Sequence, residues 1–184
     1  MKPGKGFAAL FIFLLVVAGV ASGAAENHRE SLRGLTGVAV RVERISQNAR
    51  QDGLDEKTVQ ADVEQKLKQA GIAVLTTAQA AQDPGGPTLY ISISAKLLYY
   101  PQGVVFDPAG RPYNGPPYVV ATTVSLLQSV MSPRDPKLKL PEAKTWDSGY
   151  LTTIDPALLK KNARATLGDL VDGFVADWKA ANKK

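Results

Sequence analysis

The sequence contains no cysteine. That absence excludes disulfides, a thiolate metal site, a cysteine nucleophile and an N-terminal cysteine open to lipid modification. Histidine is almost as scarce: His28 stands alone, in a polar stretch near the N-terminus. A Ser-His-Asp triad or a histidine metal site would rest on that one residue, a poor foundation for either. No glycine-rich phosphate loop, Ser-x-x-Lys pair or Asp-x-Asp calcium loop occurs. Carboxylate pairs such as Asp62 and Glu64 are two positions apart, a spacing that separates side chains on a helix. Glycosidase-type chemistry needs two converging carboxylates; nothing in the sequence points to such a pair, and a hydrolase using carboxylates stays a third, weaker alternative. The expectation is therefore a protein that is not an enzyme, with no cofactor and no metal.

The longest uncharged apolar run lies at the start. Lys2 and Lys5 precede Phe7–Val20 (FAALFIFLLVVAGV), and small residues Ala21-Ser22-Gly23-Ala24-Ala25 follow. This is the charged, apolar and small-residue order of a secretory signal peptide. Ser22 and Ala24 suit the shallow peptidase pockets, with Ala25 an alternative end. The competing reading is an uncleaved anchor, but a spanning helix takes about 20 mostly apolar residues, and the last third here is Gly, Ser and Ala. The expected organisation is a signal peptide over 1–24, a flexible lead-in over 25–34 and one domain over 35–184. Cleavage leaves 160 of the 184 residues and lowers the formal net charge from +5 to +3 by removing Lys2 and Lys5. A domain of that length buries about 70% of its unfolded surface. The modest charge supports solubility and gives no reason to expect nucleic acid. The expected location is periplasmic or secreted, with no stable membrane insertion after cleavage.

Gly37–Ile45 alternates, with Val38, Val40 and Val42 on one face and Arg41 and Glu43 on the other, the period of a half-buried strand. Asp55 then suits a helix N-cap, and Leu54 and Val59 occupy the two staple positions. Val59, Val63, Leu67 and Ala70 repeat at helical spacing. Lys66 and Lys68 suit the helix dipole, and Gly71 suits a left-handed stop. With a short strand over Ile72–Leu75, strand-helix-strand predicts a crossover and parallel pairing. Thr88–Leu98, Tyr118–Met131 and Ala143–Thr153 are expected to form an antiparallel meander. Asp155 and Pro156 then start a second helix, with a staple from Ile154 to Leu159 and an apolar stripe through Ala163, Leu167, Leu170, Val171, Phe174 and Trp178. Gly168 and Gly173 inside that helix are expected to mark a close approach to the sheet or a bend. The fold class expected is α+β, a single-domain mixed sheet of about five strands (β-α-β-β-β-β-α) with two helices packed on one face.

Two connecting segments attract a functional reading. Residues 99–118 are far longer than an ordinary loop and concentrate Tyr99, Tyr100, Phe106, Arg111, Tyr113 and Tyr118. Aromatic and arginine side chains are favoured at interfaces. These six are the candidate binding residues, against the alternative of a decorative hairpin folded back on the sheet. The second segment, Ser132–Pro141, carries Arg134, Lys137 and Lys139, with Lys144 beyond. It is expected as a proline-stiffened loop, either simply solvated or facing an anionic envelope component. Lys160, Lys161 and Arg164 near the start of the last helix oppose its dipole and are expected to form an ordinary polar face.

The run GLTGVAVRVERI, the helix ending LKQAGIAVL and the later LYISI resemble small exported bacterial proteins of uncharacterised function. The helix–strand junction is similar in architecture to modules of cell-envelope assembly proteins. That resemblance implies a location and a fold. Relatives of this kind are often lipid-anchored, and the missing cysteine is a departure from them.

Together these features lead to the expectation of an accessory binding domain whose partner is another envelope protein, contacted by the tyrosine-rich arm and by the sheet face bearing Tyr90, Ser92, Ser94 and Lys96. The alternative is a binder of a small molecule or glycan through the same tyrosines. Nothing in the residues bears on oligomeric state. The intact mass of the protein recovered after export is expected to lack residues 1–24; a full-length mass would establish the anchored form instead.

Overall fold

The structure, a computed structural model, describes residues 28–99, 105–107, 109–113 and 115–183. The signal segment expected over 1–24 lies outside these residues. Strand β1 (Gly37–Val42) is followed by α1 (Gln47–Gln51), α2 (Glu56–Gln69), β2 (Ala73–Leu75) and α3 (Thr77–Gln82). Then come β3 (Thr88–Leu97), β4 (Tyr118–Ser132), β5 (Asp135–Ile154) and, after a 3-10 turn at Pro156–Leu158, helix α4 (Leu159–Ala181).

The strands form one five-stranded sheet in the order β2-β1-β3-β4-β5. β1 runs parallel to both β2 and β3, while β3, β4 and β5 form an antiparallel meander. The α+β class, the parallel pairing across α2 and the meander are all as the sequence pattern leads one to expect. Both long helices pack on the same face. Val38, Leu89, Ile91, Ile93, Val120, Val124, Leu126 and Trp146 from the sheet bury against Val59, Val63 and Leu67 of α2 and Leu159, Ala163, Leu167, Val171 and Phe174 of α4. Trp146 meets Phe174 edge to face, ring centres 5.1 Å apart.

Local signals explain the helices. The Asp55 carboxylate accepts from the Thr58 backbone N–H at 2.9 Å and from its hydroxyl at 2.7 Å, while the staple residues Leu54 and Val59 are both buried. Gly71 ends the helix at φ 82°. Asp155 accepts from the Ala157 N–H, but it caps the 3-10 turn, so α4 starts three residues later than the cap implies. At ~1.5 Å per residue the 23 residues of α4 reach about 35 Å.

The structure corrects several expectations. Residues 28–34 are not a loose lead-in: Leu32 is fully buried, Arg29 pairs with Asp177 at 3.0 Å, and the Asn182 side chain donates to the Leu32 carbonyl. One apolar residue in a polar run carries no periodicity, so the pattern missed it. The segment from Ser132 to Pro141 is not a loop either. β4 and β5 turn back at Pro133-Arg134 and continue as a paired ribbon, with register shifts that accommodate the prolines of β5. The helices α1 and α3 are too short to show periodicity. Their signals are caps: Ser46 for α1, and for α3 a capping box of Thr76 and Gln79.

Gly168 meets Lys66 of α2 rather than the sheet, since a Cβ there would lie 3.3 Å from Lys66 Cε. Gly173 has nothing within 4 Å and marks no close approach. Replacing Gly173 with alanine is therefore expected to stabilise the protein by roughly 0.5–1 kcal/mol, seen as a higher urea midpoint at unchanged slope.

Candidate functional site

The candidate arm residues divide by position. Tyr99 is 81% exposed just past β3, and Phe106 is 58% exposed. Phe106 bridges Pro112 in a small hairpin that is closed by backbone bonds from Asp107 to the Arg111 carbonyl and from Tyr113 to the Val105 carbonyl. The Asp107 carboxylate accepts from the Ala109 and Arg111 backbone N–H groups and from Arg111 Nε at 2.8 Å. These bonds, the Arg111 backbone N–H foremost, hold its carboxyl below the ordinary aspartate range. Arg111 is thus oriented by Asp107 while remaining exposed. Tyr113 places its hydroxyl 2.8 Å from Thr153 Oγ1 and so ties the hairpin to the free edge of β5. Tyr100 lies outside the described residues.

Tyr118 is a correction. It is 1% exposed in the core, its hydroxyl donates to Asp52 at 2.7 Å, and burial pushes its phenol up to about 12. It braces the turn before α2 and presents nothing to a partner. Two residues not anticipated belong with the arm: Tyr150 and Leu151 of β5, 58% and 67% exposed. Their register partners Thr122 and Ala121 put them on opposite faces of the edge strand, three and two residues from Thr153 respectively. Adjacent large residues in a half-buried strand were the available signal, because alternation cannot bury both.

The second candidate surface is the sheet face that α2 and α4 leave bare. Arg41, Tyr90, Ser125 and Asp147 form one register row across β1, β3, β4 and β5, and Ser92 and Thr123 lie in the next row. Arg41 stands over the Tyr90 ring, 5.1 Å from its centre. Its guanidinium donates to Glu142 of β5 at 2.7 Å. Arg41 and Glu142 come from strands three spacings apart, about 14 Å at ~4.8 Å per strand. The pair is therefore a bar laid across β3 and β4. Ser125 is only 4% exposed although none of the described helices covers its face.

Glu142 has φ 58°, and it is the one non-glycine residue with positive φ among those described. It lies where the β4–β5 register shifts, and strain of that kind persists only where surrounding contacts hold it. Between the bar and the neighbouring rows is a trough of about 710 Å³ lined in part by Tyr90, Ser92, Thr123, Ser125 and Leu127. Of the sheet residues expected to matter, Tyr90 and Ser92 line it, while Ser94 and Lys96 are exposed elsewhere on the strand. The sequence could place Arg41 on the polar face of β1, but not across from Glu142.

A third concavity, about 700 Å³, runs between α2 and α4. Arg164 donates to both Asp62 oxygens at 2.6 and 2.8 Å, and Lys66 bonds Asp172 at 2.7 Å. Those charges join the two helices to each other, which makes this groove a packing seam. Among the described residues no three His, Asp or Glu side chains converge as metal ligands would.

The hydrogen bond to Arg41, then its charge, lowers the Glu142 carboxyl below the ordinary glutamate value of 4.5. Burial and then the charge of Glu43 raise the Tyr90 phenol. A lowered carboxyl pKa means the bar stabilises the fold fully above pH 4.5 and loses that contribution as pH falls through the lower folded-state value. In a carboxyl-carbon NMR titration the Glu142 midpoint is expected below 4.5 and should move up toward it in Arg41→Met. A midpoint at the ordinary value in the unaltered protein would mean that no bar forms in solution.

No protein-family model and no curated protein matches the chain. Among solved structures it is similar to the dodecamer of a PelC point variant from Paraburkholderia phytofirmans, at 18% identity and a TM-score of 0.38, over 74% of this chain and 85% of that one. It is also similar to a minor lipoprotein from Acinetobacter baumannii, at 9% identity and a TM-score of 0.32, over 80% of this chain and 93% of that one. Likenesses this low carry no inference about what the chain does.

Proposed function

We propose that this chain is an exported, non-catalytic binding domain that serves as an accessory part of an envelope assembly, docking another protein at the end of the sheet where the arm meets β5. The observation that carries the reading is the Tyr113–Thr153 hydrogen bond. It fastens the hairpin bearing Phe106 and Arg111 to the edge strand bearing Tyr150 and Leu151, so exposed aromatic and aliphatic side chains from separate segments share one end of the molecule. Exposed apolar groups gathered in this way mark interaction surfaces, and the aromatic and arginine content suits the anchors of a protein interface.

Export is supported by the order of charged, apolar and small residues over 1–24. Among the described residues no helix is long and apolar enough to cross a membrane. Tyr99 and Phe106 stand out into solvent, a geometry that fits a flat partner surface better than an enclosed ligand.

Photo-crosslinking probes at Phe106 and at Leu151, with a control at Gln60 on α2, test this in the native envelope. Both arm-end positions are expected to give the same discrete adduct and Gln60 none. Properly exported protein with no adduct from either position, or with the same adduct from Gln60, would overturn the docking model.

A further inference from the structure

The paired ribbon where β4 turns into β5 runs on past the core. Among the described residues none from 127 to 145 joins the buried cluster, whose last members on these strands are Leu126 and Trp146. A two-stranded ribbon standing alone in water is marginal. Along β5 it alternates Lys137, Leu138, Lys139 and Leu140, with Arg134 at the turn. Leu138 and Leu140 are 48% and 46% exposed, and Met131, the register partner of Lys139, is 67% exposed. The cations are as open as the apolar groups. Among the described residues Arg134, Lys137 and Lys139 enter no ion pair. The neighbouring carboxylates are engaged elsewhere: Glu142 with Arg41, Asp147 with Lys144, and Asp135 with the Lys137 backbone N–H.

Exposed apolar side chains gathered in one place mark a contact surface, and their companions decide what it fits. Pro136, Pro141 and the register shifts disfavour an added strand. A polyanion such as nucleic acid would meet the three cations and leave Met131, Leu138 and Leu140 in water. An anionic lipid surface takes both kinds of group. Its phosphates meet the cations, while the apolar side chains reach the acyl boundary and the lysine stems lie along it.

We propose that the end of the β4–β5 ribbon docks reversibly on an anionic lipid surface, with Arg134, Lys137 and Lys139 on the phosphates and Met131, Leu138 and Leu140 dipping below them. A few cations and apolar side chains give peripheral contact, short of a stable anchor. Leu140 and Leu151 are eleven residues apart on β5, about 35 Å at ~3.3 Å per residue. A chain held by its ribbon therefore keeps the arm end clear of the membrane.

Protein recovered after export would be floated with vesicles of equimolar phosphatidylglycerol and phosphatidylcholine, and with pure phosphatidylcholine. Binding to the anionic vesicles is expected, and binding about tenfold or more weaker to the neutral ones. Lys137→Gln/Lys139→Gln should lose about tenfold or more on anionic vesicles. Leu138→Ser/Leu140→Ser keeps the charge and should also lose about tenfold, whereas Lys57→Gln on α2 should bind as the unaltered protein does. In Met131→Trp, brominated acyl chains are expected to quench the added fluorescence; in Gln60→Trp they should not. Equal binding to both vesicle types, unchanged affinity in either ribbon double variant, or no quenching in Met131→Trp would each overturn the proposal. So would tighter binding to heparin than to the anionic vesicles, which would indicate a polyanion instead. None of these results depends on the crosslinking outcome at Phe106 and Leu151.

Discussion

The apolar stripe of α4, from Leu159 through Ala163, Leu167 and Val171 to Phe174, packs against β4 and β5 while its flank meets α2. Each large buried aliphatic or aromatic side chain contributes roughly 1.5–3 kcal/mol, and this helix brings several together. Its C-terminal half also fastens the start of the described chain. Asp177 accepts from Arg29 at 3.0 Å and from the Trp146 indole at 3.1 Å, the Trp178 indole donates to the Leu35 carbonyl at 2.7 Å, and Asn182 accepts from the Gly34 N–H at 2.8 Å. The chain from residue 28 onward is thereby drawn into one core.

With both long helices committed to one face, the other face has to be compatible with water. Short polar side chains answer that need in the middle of β3 and β4, and larger charged ones bridge above them. The Arg41–Glu142 pair is exposed enough that water screens most of its Coulomb energy. Its consequence is geometric, since a contact between the first and last strands of the β1-β3-β4-β5 set gives the bare face a wall.

The edge strand β5 shows two ways of ending a sheet. Its first half carries Pro136, Lys137, Lys139, Pro141 and Lys144 together with register shifts, the features that discourage further strand pairing. Its second half, from Ser148 to Thr153, has neither proline nor lysine and exposes Tyr150 and Leu151. The arm attaches to that second half, through Thr153. The two stretches of one strand thus divide the molecule's rim into a part that discourages strand pairing and a part that lacks those features.

Wherever a rule is local, the residues alone were sufficient. Alternation at Val38, Val40 and Val42 and along Leu89, Ile91 and Ile93 specified strands and their buried faces, and the Asp55 cap with its Leu54–Val59 staple specified a helix start, because each effect acts within a few residues. Short helices with only a cap to announce them, and the single buried Leu32, escaped for the same reason: periodicity needs several turns to register. Long-range pairings lay beyond local rules altogether. Tyr118 read as an arm tyrosine until the fold brought Asp52 to its hydroxyl and sealed it in the core. Arg41 and Glu142 are 101 residues apart and Tyr113 and Thr153 are 40 apart. Strand order and register, set by burial of the whole sheet against α2 and α4, decided that they would meet.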